Sequence, residues 1–138
     1  MPYRLLDHTS DLGLEVWAVT KEELFVEAAK ALYSEMLEDP RAVEARLKEE
    51  VVLEEESLDF LLREWLDYLI YKAEVDKVLF SEFEVKELTD TRLVVEAKGE
   101  RVSPKRHKFR RSPKSVTYHN LCVKEEPWGW VATVIIDI

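Results

Sequence analysis

A single cysteine, Cys122, excludes an internal disulfide, and with only three histidines the chain has no Cys/His set for a structural zinc site. The three glycines, Gly13, Gly99 and Gly129, cannot be arranged as GxGxxG or GxxxxGK, so a glycine-rich phosphate loop is excluded. No window approaches the 18 uncharged apolar residues of a membrane-spanning helix. The start, Met1-Pro2-Tyr3-Arg4, lacks the apolar run of a secretory signal, and a cytoplasmic protein is expected. Repeats, linkers and low-complexity stretches are also missing. What is present is 46% hydrophobic and 36% charged residues in 138, the composition of a folded chain. That length suits one domain, 1–138, burying about two thirds of its unfolded surface in one core.

Charge is unevenly placed. The formal net charge is −9, which argues against indiscriminate binding to nucleic acid. Residues 101–114 nevertheless hold seven Lys/Arg (Arg101, Lys105, Arg106, Lys108, Arg110, Arg111, Lys114) and no carboxylate. With +7 there and −9 overall, the remainder carries −16. Such a segment reads as a solvated loop or edge hairpin, or as a surface for phosphates or an acidic partner.

The periodicity predicts an α+β domain, two helices packed on a mostly antiparallel sheet. Leu12, Leu14, Val16 and Ala18 alternate with Glu15 and Trp17 as a strand does. Thr20-Lys21-Glu22-Glu23 reads as a capping box ahead of Leu24, Phe25, Ala28, Ala29, Leu32 and Met36 at helical spacing. Pro40 should follow the end of that helix. Val51-Val52-Leu53 suggests a strand. Ser57 caps a second helix with Asp59 near its positive end; Leu58 to Ala73 supply its buried stripe, and Arg63, Glu64, Asp67, Tyr68 and Lys72 face away. A change of parity between Phe80 and Phe83 predicts a bulge, and residues 88–91 a turn. Residues 115–123 read as β-rich, with Cys122 in the core. The last strand, 130–138, is apolar on both faces and so central in its sheet.

Three places carry polar groups that packing does not require. The first, Asp7-His8-Thr9-Ser10-Asp11-Leu12-Gly13, packs two carboxylates, an imidazole and two hydroxyls into five residues; it suits a ligand-binding loop, or one that bonds its own backbone. The second is the end of the apolar strand, where Asp137 and the Ile138 main chain offer several oxygens. Clustered carboxylates suit a hard cation such as Ca²⁺, Mg²⁺ or Mn²⁺, while a lone strand-end Asp also suits solvent or an Arg or Lys partner. The third is Lys114-Ser115-Val116-Thr117-Tyr118-His119-Asn120, where strand alternation would put Lys114, Val116, Tyr118 and Asn120 on one face. No catalytic triad emerges.

Taken together and in order, these segments resemble the archease family. The resemblance is carried by His8-Thr9-Ser10-Asp11-Leu12-Gly13, by Glu23-Leu24-Phe25 with Ala28-Ala29, by Lys114-Ser115-Val116-Thr117-Tyr118-His119, and by the ending from Gly129-Trp130 to Asp137-Ile138. It implies an accessory protein, not itself an enzyme, that helps an RtcB-type tRNA-splicing ligase become guanylylated and turn over repeatedly. It also implies a bound divalent cation, Ca²⁺ foremost with Mg²⁺ or Mn²⁺ as alternatives, held by Asp11, Asp137 and the main chain of Ile138. Lys114 matches a lysine tied to activation of the partner, and His8 and His119 are candidates for orienting the ligands. Ser10 stands where alanine is usual in the family, and Asn120 where many members have glycine.

Two rival readings make distinct demands. In one, segment 101–114 grips RNA and delivers it to a processing enzyme, with affinity falling steeply in salt. In the other, Asp11, Asp137 and His8 serve a small metal-dependent hydrolase.

Overall fold

The computed structural model describes residues 2–6 and 11–138 of the chain. Its order is β1 (Tyr3–Leu6), β2 (Asp11–Ala18), α1 (Lys21–Met36), a 3₁₀ turn (Pro40–Ala42), β3 (Leu47–Glu54), α2 (Leu58–Glu74), β4 (Val78–Leu88), β5 (Arg92–Arg101), β6 (Ser115–Val116), β7 (Cys122–Glu126) and β8 (Gly129–Asp137). The α+β class stands, with the strands divided between two sheets. One runs β1-β2-β8, with β6 and β7 both on the far side of β8; the other runs β3-β5-β4. Every pairing among these strands is antiparallel.

Helix α1 starts where Thr20 Oγ1 accepts the Glu23 N–H (3.1 Å), and α2 where Ser57 Oγ accepts that of Phe60 (3.2 Å). Each hydroxyl satisfies a donor that the first helical turn leaves without a partner. The apolar stripes meet in one core: Leu24, Phe25, Ala28 and Leu32 of α1 and Leu61, Trp65, Leu66 and Leu69 of α2 pack with Leu14, Val16, Val134 and Ile136 and with Phe80, Leu93 and Val95. Trp65 can sit inside because its indole N–H donates to Phe25 O (3.0 Å), and Tyr33 because its hydroxyl accepts the Phe80 N–H (3.2 Å).

The expected parity change is a register shift between Phe80 and Glu82, with a second between Val85 and Glu87. Strand β8 is central, as its two apolar faces require. Three expectations need correction. Tyr3–Leu6 is a strand the periodicity gave no sign of; only four residues long and at the sheet edge, it leaves Leu5 about half exposed. Residues 114–120 do not form one strand. Only Ser115 and Val116 pair with β8 before the chain turns at Tyr118-His119-Asn120, where Asn120 takes a positive φ of 54°. Cys122 is exposed, because it pairs with Thr133 at the edge of the sheet, on the face that no helix covers.

Candidate functional site

Alternation on β2 and β8 sends Leu12, Leu14 and Val16, with Ala132, Val134 and Ile136, toward the helices. The opposite face receives Asp11, Gly13, Glu15 and Trp17, with Val131, Thr133, Ile135 and Asp137. Ladder register then decides which of these meet. Asp11 lies directly opposite Asp137, Gly13 opposite Ile135, and Glu15 opposite Thr133. Directly paired residues of antiparallel strands hold their Cβ atoms about 4.5–5.5 Å apart, so the two carboxylates share one small region, an arrangement that is destabilising unless a cation answers it. Asp11 is half-buried and Asp137 exposed.

Gly13 has a spatial reason to be glycine. A Cβ there would lie 2.9 Å from Leu6 Cβ and 3.3 Å from Ile135 Cδ1, so a side chain at this position would force Leu6 of β1 to shift.

The third sequence motif arrives at the same end of the sheet. The Lys114 N–H donates to Asp137 O (2.7 Å), and Ser115 pairs with Asp137 across the strand from Asp11. Both the N–H and the hydroxyl of Thr117 then donate to Ile135 O, at 2.9 and 3.0 Å. The Lys114 side chain is exposed and makes no ion pair among the described residues. Ile138 follows directly after Asp137, 40% exposed. His119 stands in the exposed turn beyond β6, its N–H donating to Thr117 Oγ1 (3.2 Å). His8, together with Asp7, Thr9 and Ser10, lies outside the described residues.

Helix α2 holds this segment in place with Arg63 and Asp67, which the sequence pattern turns away from the core, and with Asp59 of its first turn. Asp67 Oδ1 accepts the Val116 N–H (2.7 Å), Arg63 Nε donates to Val116 O (2.8 Å), and Asp59 Oδ1 accepts the Val123 N–H (2.8 Å). Arg63 and Asp67 pair with each other at 3.2 Å. Thus both main-chain groups of Val116 that point away from β8 are satisfied by helix side chains in place of another strand. The Arg63 guanidinium also sits 4.2 Å from the ring centre of Tyr118, and Phe60 meets that ring edge-on at 5.5 Å. The signal was legible: Asp59, Arg63 and Asp67 recur every four residues and so line one stripe of the helix.

The basic segment is anchored, not merely solvated. Glu100, nearly buried, accepts from the Glu44 N–H (2.7 Å), from Arg106 Nη1 (3.0 Å) and from His107 Nε2 (3.0 Å). Because His107 Nδ1 accepts the Ser103 N–H (2.8 Å), the ring proton lies on Nε2, facing Glu100. Arg106 above all, with the Glu44 N–H and His107, holds the Glu100 carboxyl down at about 2, against the opposing effect of burial. Further along, Arg111 Nε lies 3.4 Å from the buried Glu35, which also accepts the Tyr3 hydroxyl (2.8 Å).

With two carboxylates, an adjacent main chain and one lysine at a sheet end, the region has oxygen donors suited to a hard cation. Among the described residues no group of three or more His, Cys, Asp or Glu could hold a metal. Held by the described residues alone, an ion here would take main-chain or water oxygens beside Asp11 and Asp137.

Residues 3–138 match the family described as "Archease protein family (MTH1598/TM1083)". The chain belongs to the archease family. It is 43% identical to the archease of Methanopyrus kandleri over the full length of both chains, and 31% identical to that of Pyrococcus furiosus over 96% of this chain and 95% of the other. The solution structure of protein 1598 of Methanobacterium thermoautotrophicum superposes with a TM-score of 0.80, at 29% identity and 99% coverage of both chains. An archease of Thermotoga maritima, described as a possible chaperone, shares the fold with a TM-score of 0.67 at 18% identity, covering 98% of this chain and 96% of the other. Among the described residues no helix is long and apolar enough to cross a membrane.

Proposed function

We propose that this archease activates an RtcB-type tRNA-splicing RNA ligase, promoting its guanylylation and repeated turnover, from the sheet end where Asp11, Asp137, Ile138 and Lys114 converge. The observation that carries the reading is the register: Asp11 and Asp137 face each other on β2 and β8, and Lys114 is bonded by its main chain to Asp137. Two like charges set directly opposite favour an intervening cation. Asp11, Asp137 and a main-chain oxygen of Ile138 would hold it, most readily Ca²⁺, with Mg²⁺ or Mn²⁺ as alternatives.

When bound, such an ion supplies positive charge and open coordination positions that a group of the ligase can fill. Lys114 contributes a second positive charge on a flexible stem, suited to a phosphate or a carboxylate of the partner. The protein's own chemistry stops there. It offers charge and shape to another enzyme's active site, which is the work of an accessory protein in the cytoplasm and not of an enzyme.

The test is multiple-turnover joining of RNA by the cognate ligase with Mn²⁺, GTP and RNA in excess over enzyme. Wild-type protein is expected to raise the number of turnovers, and Asp137→Ala and Lys114→Ala to lose most of that effect while keeping the fold by circular dichroism. No stimulation by the wild type would refute the function. Equal stimulation by both variants would refute the site.

A further inference from the structure

The sequence leaves open whether residues 101–114 are solvated filler or a surface. In the structure they form a strap from the end of β5 to the start of β6, crossing the C-terminal end of α1. Val102 N–H donates to Lys77 O (2.7 Å), Glu38 N–H to Lys108 O (2.9 Å), and Arg110 N–H to Met36 O (2.7 Å), while Phe109 bridges to Leu37. On its inner side Arg106, His107 and Arg111 are anchored to Glu100 and Glu35, and Pro113 is buried.

That leaves Arg101, Lys105, Lys108, Arg110 and Lys114, all exposed and none in an ion pair among the described residues. Two aromatic rings accompany the segment in sequence: Phe109 within it, 42% exposed, and Tyr118, four residues past Lys114, 63% exposed with the Arg63 guanidinium over its ring. The rest of the chain carries −16, so the strap is where the sequence concentrates positive charge.

Cations that track a backbone, interleaved with rings on which bases stack, are the means by which proteins hold single-stranded nucleic acid. An acidic protein would need the charges but not the rings. From this combination we infer that the outer side of the strap is a docking surface for single-stranded RNA. The inference goes beyond the activator reading and does not depend on it: ligase stimulation can occur without RNA contact by this protein, and RNA contact without stimulation.

The test is fluorescence anisotropy of a labelled 15-nucleotide oligouridylate titrated with the full chain from 50 to 300 mM KCl. Release of counterions from a single strand by five cations gives an expected slope of log K against log salt of about −3.5. Neutralising two of the cations in Lys105→Gln/Arg110→Gln is expected to bring the slope to about −2. The ring variants Phe109→Ala and Tyr118→Ala should weaken binding about fivefold or more each and leave the slope unchanged. Thermal unfolding of each variant confirms that the fold is kept.

No binding at 50 mM KCl would overturn the inference. So would binding that ignores both sets of substitutions. Equal or tighter binding of a poly-glutamate peptide, insensitive to the ring variants, would overturn it in favour of an acidic protein partner.

Discussion

Replacing Glu100 by glutamine removes one negative charge from a cluster in which every partner was placed to meet it. In the wild type the carboxylate receives the Glu44 N–H, the guanidinium of Arg106 and the His107 Nε2–H, with Arg46 Nε at 3.4 Å; the Glu44 side chain adds a second acid for Arg46 and Arg106. Its carboxyl is held at about 2, mainly by Arg106, from an ordinary value of 4.5. A depressed carboxyl contributes stability above its unfolded value and loses it as the pH falls toward its folded one. The contribution is therefore complete near pH 7, starts to fall near pH 4.5, and is largely gone by pH 2.5. Its full size is about 3 kcal/mol by linkage, in line with the cost of breaking a buried pair from one side. For a chain of this length that corresponds to a fall in Tm of about 10 °C. Guanidinium unfolding of wild type and Glu100→Gln at pH 7, 4.5 and 2.5 reads the effect directly. The gap between the two proteins should be large at pH 7, still present at pH 4.5 and mostly closed at pH 2.5. A gap below about 1 kcal/mol at pH 7, or one that stays constant down to pH 2.5, would refute the reasoning.

Other expectations follow from the same geometry. In EDTA, Asp137→Asn should unfold at the wild-type temperature or slightly above it, because a like-charge pair is relieved; in millimolar Ca²⁺ only the wild type should gain stability, and gain in both proteins would contradict the pair as the binding site. In Asp67→Asn the Val116 N–H donates to a weaker, uncharged acceptor and Arg63 loses its partner charge, so hydrogen exchange at Val116 should quicken about tenfold or more while exchange in the α1 core stays unchanged. Gly13→Ala forces Leu6 away from the sheet and is expected to cost about 1–3 kcal/mol in denaturant unfolding; a neutral effect would mean that β1 yields freely.

Much of the fold was legible because it rests on periodic signals. Both helices announced themselves by a hydroxyl cap and an apolar stripe, and β8 by a run of apolar residues long enough to be covered on two faces. The bulge after Phe80 showed as a change of parity. What escaped has no period. Strand β6 is two residues long and owes its outer hydrogen bonds to Asp67 and Arg63, so the pattern around Val116 read as a longer strand than the one that forms. The Glu100–Arg106–His107 cluster buries two polar side chains, Glu100 and His107, that no alternation indicates, each offset by the other and by the exposed Arg106. Cys122 looked like core by its apolar neighbours, yet it sits on an edge strand on the face without helices.

For the candidate site, the sequence supplied the residue types and the resemblance supplied their grouping. The register of β2 against β8 supplied what neither could, that Asp11 and Asp137 are direct partners. Lys114 belongs with them because its own main chain bonds to Asp137. Arg63 and Asp67 were read as facing away from the buried stripe and Asp59 as complementing the helix's positive end, and only the packing of α2 against β6 and β7 reveals all three as the support of that segment.

The central claim, that this sheet end acts on a ligase, is tested most directly by following guanylylation of the cognate RtcB-type ligase with labelled GTP. Wild-type protein and Asp137→Asn would be compared at equal concentrations with the same divalent cation. The wild type is expected to increase the guanylylated fraction, and Asp137→Asn to leave it near the level of ligase alone. Equal labelling with both proteins would contradict the role of the carboxylate pair, and no increase with the wild type would contradict the function itself.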